Sequence, residues 1–152
     1  MKSCAVSSDG RTSSSLPEKT FDAAPPGRKI LIVDDDPVMH LLHRHHLERA
    51  GYRVLQVSNG RDAIDVAQRE LPQVVIMDVM MPDMDGFTAV RELKRAQASK
   101  AIPIIVVSAH ALYDVSRHES EQAGAARYMS KPFSPAQLLE QVRTVIQESE
   151  TD

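Results

Sequence analysis

The sequence predicts an α/β fold, a doubly wound parallel sheet assembled as (βα)5. Three observations carry the expectation. Ile30-Leu31-Ile32-Val33, Val74-Val75-Ile76-Met77 and Ile104-Ile105-Val106-Val107 are short continuous apolar runs, and runs that do not alternate mark strands buried on both faces of a parallel sheet. Between them lie segments whose apolar residues recur at helical spacing. The links between the two kinds of segment are short, which implies right-handed crossovers with helices on both faces of the sheet.

Each element has its own local reason. Arg53 to Val57 and Ala126 to Met129 mix polar with apolar residues, as edge strands do, so three central strands and two edges give a five-stranded sheet. The first helix runs from Pro37 to Ala50 on Met39, Leu42, Leu47 and Ala50, with Gly51 as its stop signal. Residues 61–71 place Ala63, Ile64, Ala67 and Leu71 on one face. Phe87, Val90 and Leu93 do the same after Asp85-Gly86, with Asp85 as the expected N-cap. The stretch 111–123 is the weakest helix, with only Ala111, Leu112, Val115 and Ala123 to bury. Ser134-Pro135-Ala136-Gln137 joins a capping box to proline at the first helical position, and Leu138, Leu139, Val142, Val145 and Ile146 supply the stripe behind it.

Residues 1–27 read as a solvated tail rich in Ser, Thr, Gly, Pro and Ala, closed by Pro25-Pro26-Gly27; a docking peptide for a partner is the rarer alternative. The folded domain is expected over 28–148, with a short C-terminal tail at 149–152. A net charge of −3 gives no general affinity for nucleic acid or anionic membrane. No apolar run approaches the ~18 residues a membrane span needs, and the N-terminus lacks the apolar core of a secretory signal. The single cysteine, Cys4, cannot close an internal disulfide, which suits a reducing compartment. A cytoplasmic protein is expected.

In sheets of this kind chemistry gathers beyond the carboxyl ends of the strands. There the sequence places Asp34-Asp35-Asp36 after strand one, Asp78 after strand three, Ser108 after strand four and Lys131-Pro132 near the end of strand five. Adjacent carboxylates repel unless a cation sits among them, and hard oxygen ligands in an open aqueous site favour Mg²⁺. Lys131 is then placed to hold one phosphate oxygen and the Ser108 hydroxyl to donate to another. A carboxylate beside Mg²⁺ is equipped to attack phosphorus and form an acyl phosphate. A lone Asp after a strand is usually a turn or helix cap, and a lone Lys-Pro is usually a loop. Four such sites at successive strand ends are not explained that way.

The blocks ILIVDDD (residues 30–36), VIMDVMMPDMDG (75–86), VVSA (106–109) and YMSKPF (128–133) resemble the receiver domain of two-component response regulators over about residues 29–148. The resemblance implies a flavodoxin-like fold with strand order 2-1-3-4-5. It implies Asp78 as phosphoacceptor, with Asp35, Asp78 and the Met80 backbone carbonyl on Mg²⁺ and Asp34 acting through water. Lys131 would pair with the phosphoryl group, across a cis Lys131-Pro132 bond. Ser108, where threonine is commoner, would be the switch hydroxyl and Tyr128 the aromatic that swings behind it. Met80 and His110 occupy positions that tune phosphate loss. The implied phosphodonor is the phosphohistidine of a sensor histidine kinase or a histidine phosphotransfer protein. The implied output is an unidentified protein partner, met on the face formed by helix four, strand five and helix five. Because the sequence ends at Asp152, just past the fifth helix, a stand-alone receiver is expected.

Two other readings compete. A haloacid-dehalogenase-type phosphatase also uses an Asp nucleophile, Mg²⁺, a hydroxyl and a Lys, and Asp34-x-Asp36 could serve as its motif; the later acidic pair of such enzymes is missing, and the MPDMDG loop has no role there. His40, His43, His45 and His46 crowd the first helix, and 40/43 or 43/46 have metal-ligand spacing. No cysteine or carboxylate completes such a set, so solvated or half-buried histidines are the expectation. His46, which continues the Met39–Leu42–Ala50 stripe, is the one expected to pack on the sheet.

Overall fold

The structure, a computed structural model, describes residues 28–79, 86–109 and 113–151. Strands β1 (Lys29–Val33), β2 (Arg53–Val57), β3 (Val74–Asp78), β4 (Ile104–Ala109) and β5 (Arg127–Lys131) alternate with helices α1 (Pro37–Arg49), α2 (Gly60–Glu70), α3 (Gly86–Arg95), α4 (Tyr113–Ala123) and α5 (Pro135–Thr151). The strands form one parallel sheet in the order β2-β1-β3-β4-β5, the expected 2-1-3-4-5. The α5 helix runs on to Thr151, three residues past the expected boundary at 148.

Side-chain alternation along the strands divides the core in two. Ile30 and Ile32 of β1 pack with Leu47 of α1 and with Leu138, Val142 and Ile146 of α5 on one face. Leu31 and Val33 pack with Ala63 and Ala67 of α2, Val90 and Leu93 of α3 and Ala123 of α4 on the other. Because both faces are covered, β1, β3 and β4 are apolar at nearly every position, and that is why their runs are continuous. Side chains cap the helices: the α5 capping box is the expected one, whereas Asp36 as the α1 cap is new to the structure. Asp36 accepts from the Val38 N–H at 2.9 Å with Pro37 at the first turn. Ser134 and Gln137 exchange bonds of 3.1 and 2.7 Å at the start of α5. Among the described residues, no helix is long and apolar enough to cross a membrane.

Two expectations for the helices need correction. The buried face of α1 is His43, Leu47 and the capping Ala50, whereas Leu42 is 45% exposed and His46 only half-buried. The apolar residues Val38, Leu41 and Leu42 all point outward, so hydrophobicity along this helix does not report its rotation. Packing does: the His43 ring stacks on Phe133, centroids 5.6 Å apart. Leu71 is the second case. It is 56% exposed rather than on the buried face of α2, because the helix stops at Glu70 and Leu71 takes the left-handed cap at φ 50°. The turn lets Gln73 N–H reach the Lys29 carbonyl at 2.8 Å and start β3 beside β1. The Asp85 cap, the first two residues of the expected 111–123 helix and the 1–27 tail lie outside the described residues.

Candidate functional site

Parallel strands bring their carboxyl ends to one edge of the sheet, and the acidic residues arrive there from neighbouring strands. Asp34 follows β1, its N–H held by the Val57 carbonyl at 3.2 Å. Asp78 is the last residue of β3 and pairs with Val107 of β4, one residue before Ser108. Lys131 is the last residue of β5 and pairs with Ala109. Ser108 lies inside β4 rather than just past it, because the strand runs on to Ala109.

Asp34, Asp35 and Asp78 each offer a carboxylate oxygen within 4.8 Å of the other two. Asp34 and Asp78 are 3% and 6% exposed, whereas Asp35 is open to solvent. The Lys131 ammonium stands 3.6 Å from Asp34 Oδ2 and 3.6 Å from Asp78 Oδ2, bridging the two buried acids. Asp34 Oδ1 also accepts the Asp36 N–H at 2.9 Å. Asp36 itself turns away to cap α1, which separates it from the three acids that converge. One ammonium among three carboxylates leaves an excess of negative charge on oxygen donors, and such a set fits a hard divalent cation. Ser108 is wholly buried beneath this edge, and Tyr128, half-buried on β5, packs on the face carrying α2, α3 and α4. The Lys131-Pro132 bond is cis. Met80 and His110 lie outside the described residues.

Two histidines border the cluster, and neither role was visible in the sequence. His40 bonds through Nε2 to the main-chain carbonyl of Asp34. His43, 5% exposed, sits near Asp34 and Lys131 with its Nδ1 lacking a hydrogen-bond partner among the described residues. The helical spacing of both from Pro37 was available, but nothing in it distinguishes an inward ring from a solvated one. Burial holds the His43 pKa below its ordinary 6.5; Asp34 opposes that shift, and Lys131, His40 and His46 reinforce it. The fold therefore favours the neutral ring, while the unfolded chain takes up a proton as the pH drops through 6.5. The stability from burying His43 is present above that pH and is lost progressively below it. Denaturant titrations at pH 7.5 and 5.5 should show native protein losing more stability on acidification than His43→Leu does; equal losses would refute this assignment.

Residues 30–143 match the response regulator receiver domain. The chain belongs to that family. This receiver is 36% identical to protein PilH of Pseudomonas aeruginosa over 118 residues, 78% of this chain and 97% of PilH. It is 34% identical over 123 residues to the alkaline phosphatase synthesis transcriptional regulatory protein PhoP of Bacillus subtilis, covering 81% of this chain and 50% of PhoP. It thus spans about half the length of PhoP and nearly all of PilH. Among solved structures, the receiver domain of the Pseudomonas aeruginosa sensor histidine kinase PA1611 superposes with a TM-score of 0.74 at 35% identity, covering 80% of this chain and 98% of that one. That domain was crystallised with a magnesium ion coordinated in its active site cleft. The receiver family belongs to two-component signalling, where its members work with sensor histidine kinases, and the fold here serves signalling rather than the turnover of a dedicated enzyme.

Proposed function

We propose that this receiver is a phosphorylation switch that takes a phosphoryl group onto Asp78 from the phosphohistidine of a sensor histidine kinase or a histidine phosphotransfer protein. The supporting observation is the convergence of Asp34, Asp35 and Asp78 within 4.8 Å, with Lys131 3.6 Å from two of them. An Asp78 carboxylate oxygen forms the new bond to phosphorus as the P–N bond breaks, and the electron pair of that bond returns to the donor imidazole. Lys131 holds one phosphoryl oxygen, and the Ser108 hydroxyl donates to another once the group is in place. Asp35, Asp78 and the Met80 carbonyl are the proposed Mg²⁺ ligands, with Asp34 acting through water. When bound, Mg²⁺ supplies neutralisation of the charge on the phosphoryl oxygens. Met80 and His110, two residues past the acceptor and the switch hydroxyl in sequence, are the proposed residues that tune how fast phosphate is lost.

Incubation with acetyl phosphate and Mg²⁺ should add one phosphoryl group, labile to hydroxylamine and absent without the metal. Borohydride trapping and peptide mass spectrometry should locate it on Asp78. Label on Asp34 would instead favour the phosphatase chemistry.

The output surface is proposed to be the face made by α4, β5 and α5, met by a downstream protein in the cytoplasm. Among the described side chains of α4, only Ser120 and Ala123 are buried, so little apolar area holds the helix in one position and shifting it costs little. Ser108 lies on the strand leading into α4, and Tyr128 on the strand after it. Amide exchange with and without beryllofluoride should change most across α4 and β5. Changes confined to α1 and α2 would rule this surface out.

A further inference from the structure

We propose that His40 is a positioning residue for the acidic cluster: its Nε2–H bond to the Asp34 carbonyl holds the Asp34–Asp35 peptide so that the Asp35 carboxylate faces Asp34 and Asp78. The inference rests on the reading above that this cluster takes Mg²⁺, and it concerns what prepares the cluster for the ion.

Asp35 is the member of the set most in need of help. Its side chain is exposed, and among the described residues no hydrogen bond or ion pair restrains it. Two neighbouring carboxylates repel it, and rotation into solvent would relieve the repulsion. What remains to hold it is the backbone. The carbonyl of Asp34 belongs to the planar peptide that joins Asp34 to Asp35, so fixing that oxygen restricts Asp34 ψ and Asp35 φ together. His40 supplies the fixing bond from one turn into α1. A carbonyl oxygen only accepts, so the hydrogen is on Nε2. Nδ1 is buried with no partner among the described residues, so one ring nitrogen bonds the loop and the other is left without a competing bond.

The main chain of His40 is anchored in turn. The His40 N–H donates to the Asp36 carbonyl at 3.1 Å, and the His40 carbonyl accepts from the Gln56 side chain of β2 at 2.9 Å. Asp36 closes the same loop from the other side, through its N–H to Asp34 Oδ1 at 2.9 Å and its Oδ1 to the Val38 N–H at 2.9 Å. Sheet edge, first helix turn and acidic loop thus form one connected unit, in which His40 is the side chain that grips the peptide between the two acids. Partners of this kind, one step removed from a metal, tune its affinity by orienting the ligands.

The test measures Mg²⁺ affinity by calorimetry, with the Mg²⁺ dependence of acetyl phosphate uptake as a second readout. His40→Phe keeps the ring and removes the donor. It should weaken Mg²⁺ binding about five- to tenfold, raise the Mg²⁺ concentration for half-maximal uptake by the same factor, and leave the rate at saturating Mg²⁺ nearly unchanged. His40→Gln, whose amide nitrogen reaches about as far as Nε2, should recover most of the affinity. His40→Asn, one methylene shorter, should not, and this contrast decides the matter if the Phe variant fails to fold. Native affinity in His40→Phe, or equal loss in the Gln and Asn variants, overturns the inference while leaving the Mg²⁺ reading intact. Absence of Mg²⁺ binding by the native protein overturns both.

Discussion

Asp78→Asn is expected to abolish phosphoryl uptake from acetyl phosphate while leaving the protein folded, with a melting temperature in the absence of Mg²⁺ a few degrees above native. The loss follows from chemistry, because a carboxamide is no nucleophile toward phosphorus. The gain follows from electrostatics. At an effective dielectric of about 20, the attraction of Lys131 at 3.6 Å is worth roughly 5 kcal/mol, and the repulsion of an acid within 4.8 Å roughly 3 kcal/mol or more. Asp34 is buried and repels nearly in full, whereas Asp35 is exposed and much of its share is screened. Attraction and repulsion therefore nearly cancel, and the desolvation of a carboxylate only 6% exposed tips the balance against the charged group. Asparagine keeps the shape and removes the charge. Millimolar Mg²⁺ should raise the melting temperature of the native protein and leave that of Asp78→Asn nearly unmoved, by linkage to binding. A variant that melts well below native without Mg²⁺ would show that the Lys131 pair dominates instead.

Gly86→Ala is expected to destabilise the fold by about 3 kcal/mol, a fall in melting temperature of roughly 10 °C for a domain of this size. A Cβ on Gly86 would meet the Asp78 carbonyl oxygen at 2.5 Å, Val79 Cα at 2.7 Å and the Asp78 carbonyl carbon at 3.0 Å. All three are backbone atoms, so no rotamer change relieves the clash. The segment that would have to move is the end of β3, whose Val79 carbonyl also receives the Gly86 N–H at 3.3 Å. The displacement therefore falls on Asp78, the proposed phosphoacceptor, and Mg²⁺ affinity should drop with stability. Gly124→Ala provides a contrast. There the added methyl meets only the flexible Lys94 side chain at 3.2 Å, and the penalty comes from φ +102°, about 1 to 2 kcal/mol. Equal melting temperatures for the two variants would show that the close approach of α3 to β3 is looser than these distances imply.

Much of the architecture could be read without coordinates because burial on both faces writes itself into composition. The β1, β3 and β4 strands show it as uninterrupted apolar runs, and the mixed runs of β2 and β5 mark the edges. The acids and the lysine were legible for a related reason: a parallel sheet sends every strand's carboxyl end to the same edge, so residues far apart in sequence had to be neighbours. The buried stripes of α2, α3 and α5 were legible as well, in Ala63 and Ala67, Val90 and Leu93, and Leu138, Val142, Val145 and Ile146; what failed to show was the rotation of α1 about its axis. In α1 the outward Val38, Leu41 and Leu42 are 68%, 71% and 45% exposed, which inverts the usual relation between hydrophobicity and burial. The stripe pointed to His46 as the inward histidine, and His43 is the one that turned in.

By itself, then, the sequence determined the (βα)5 order, the sheet's central strands and the acidic edge, since periodicity and strand direction follow from local pattern and short links. Tertiary structure alone decided the contacts around α1. The Phe133 ring gives His43 an apolar surface to stack on, and the Asp34 carbonyl gives His40 an acceptor. Both partners lie outside the helix, on segments that only the folded sheet brings within reach.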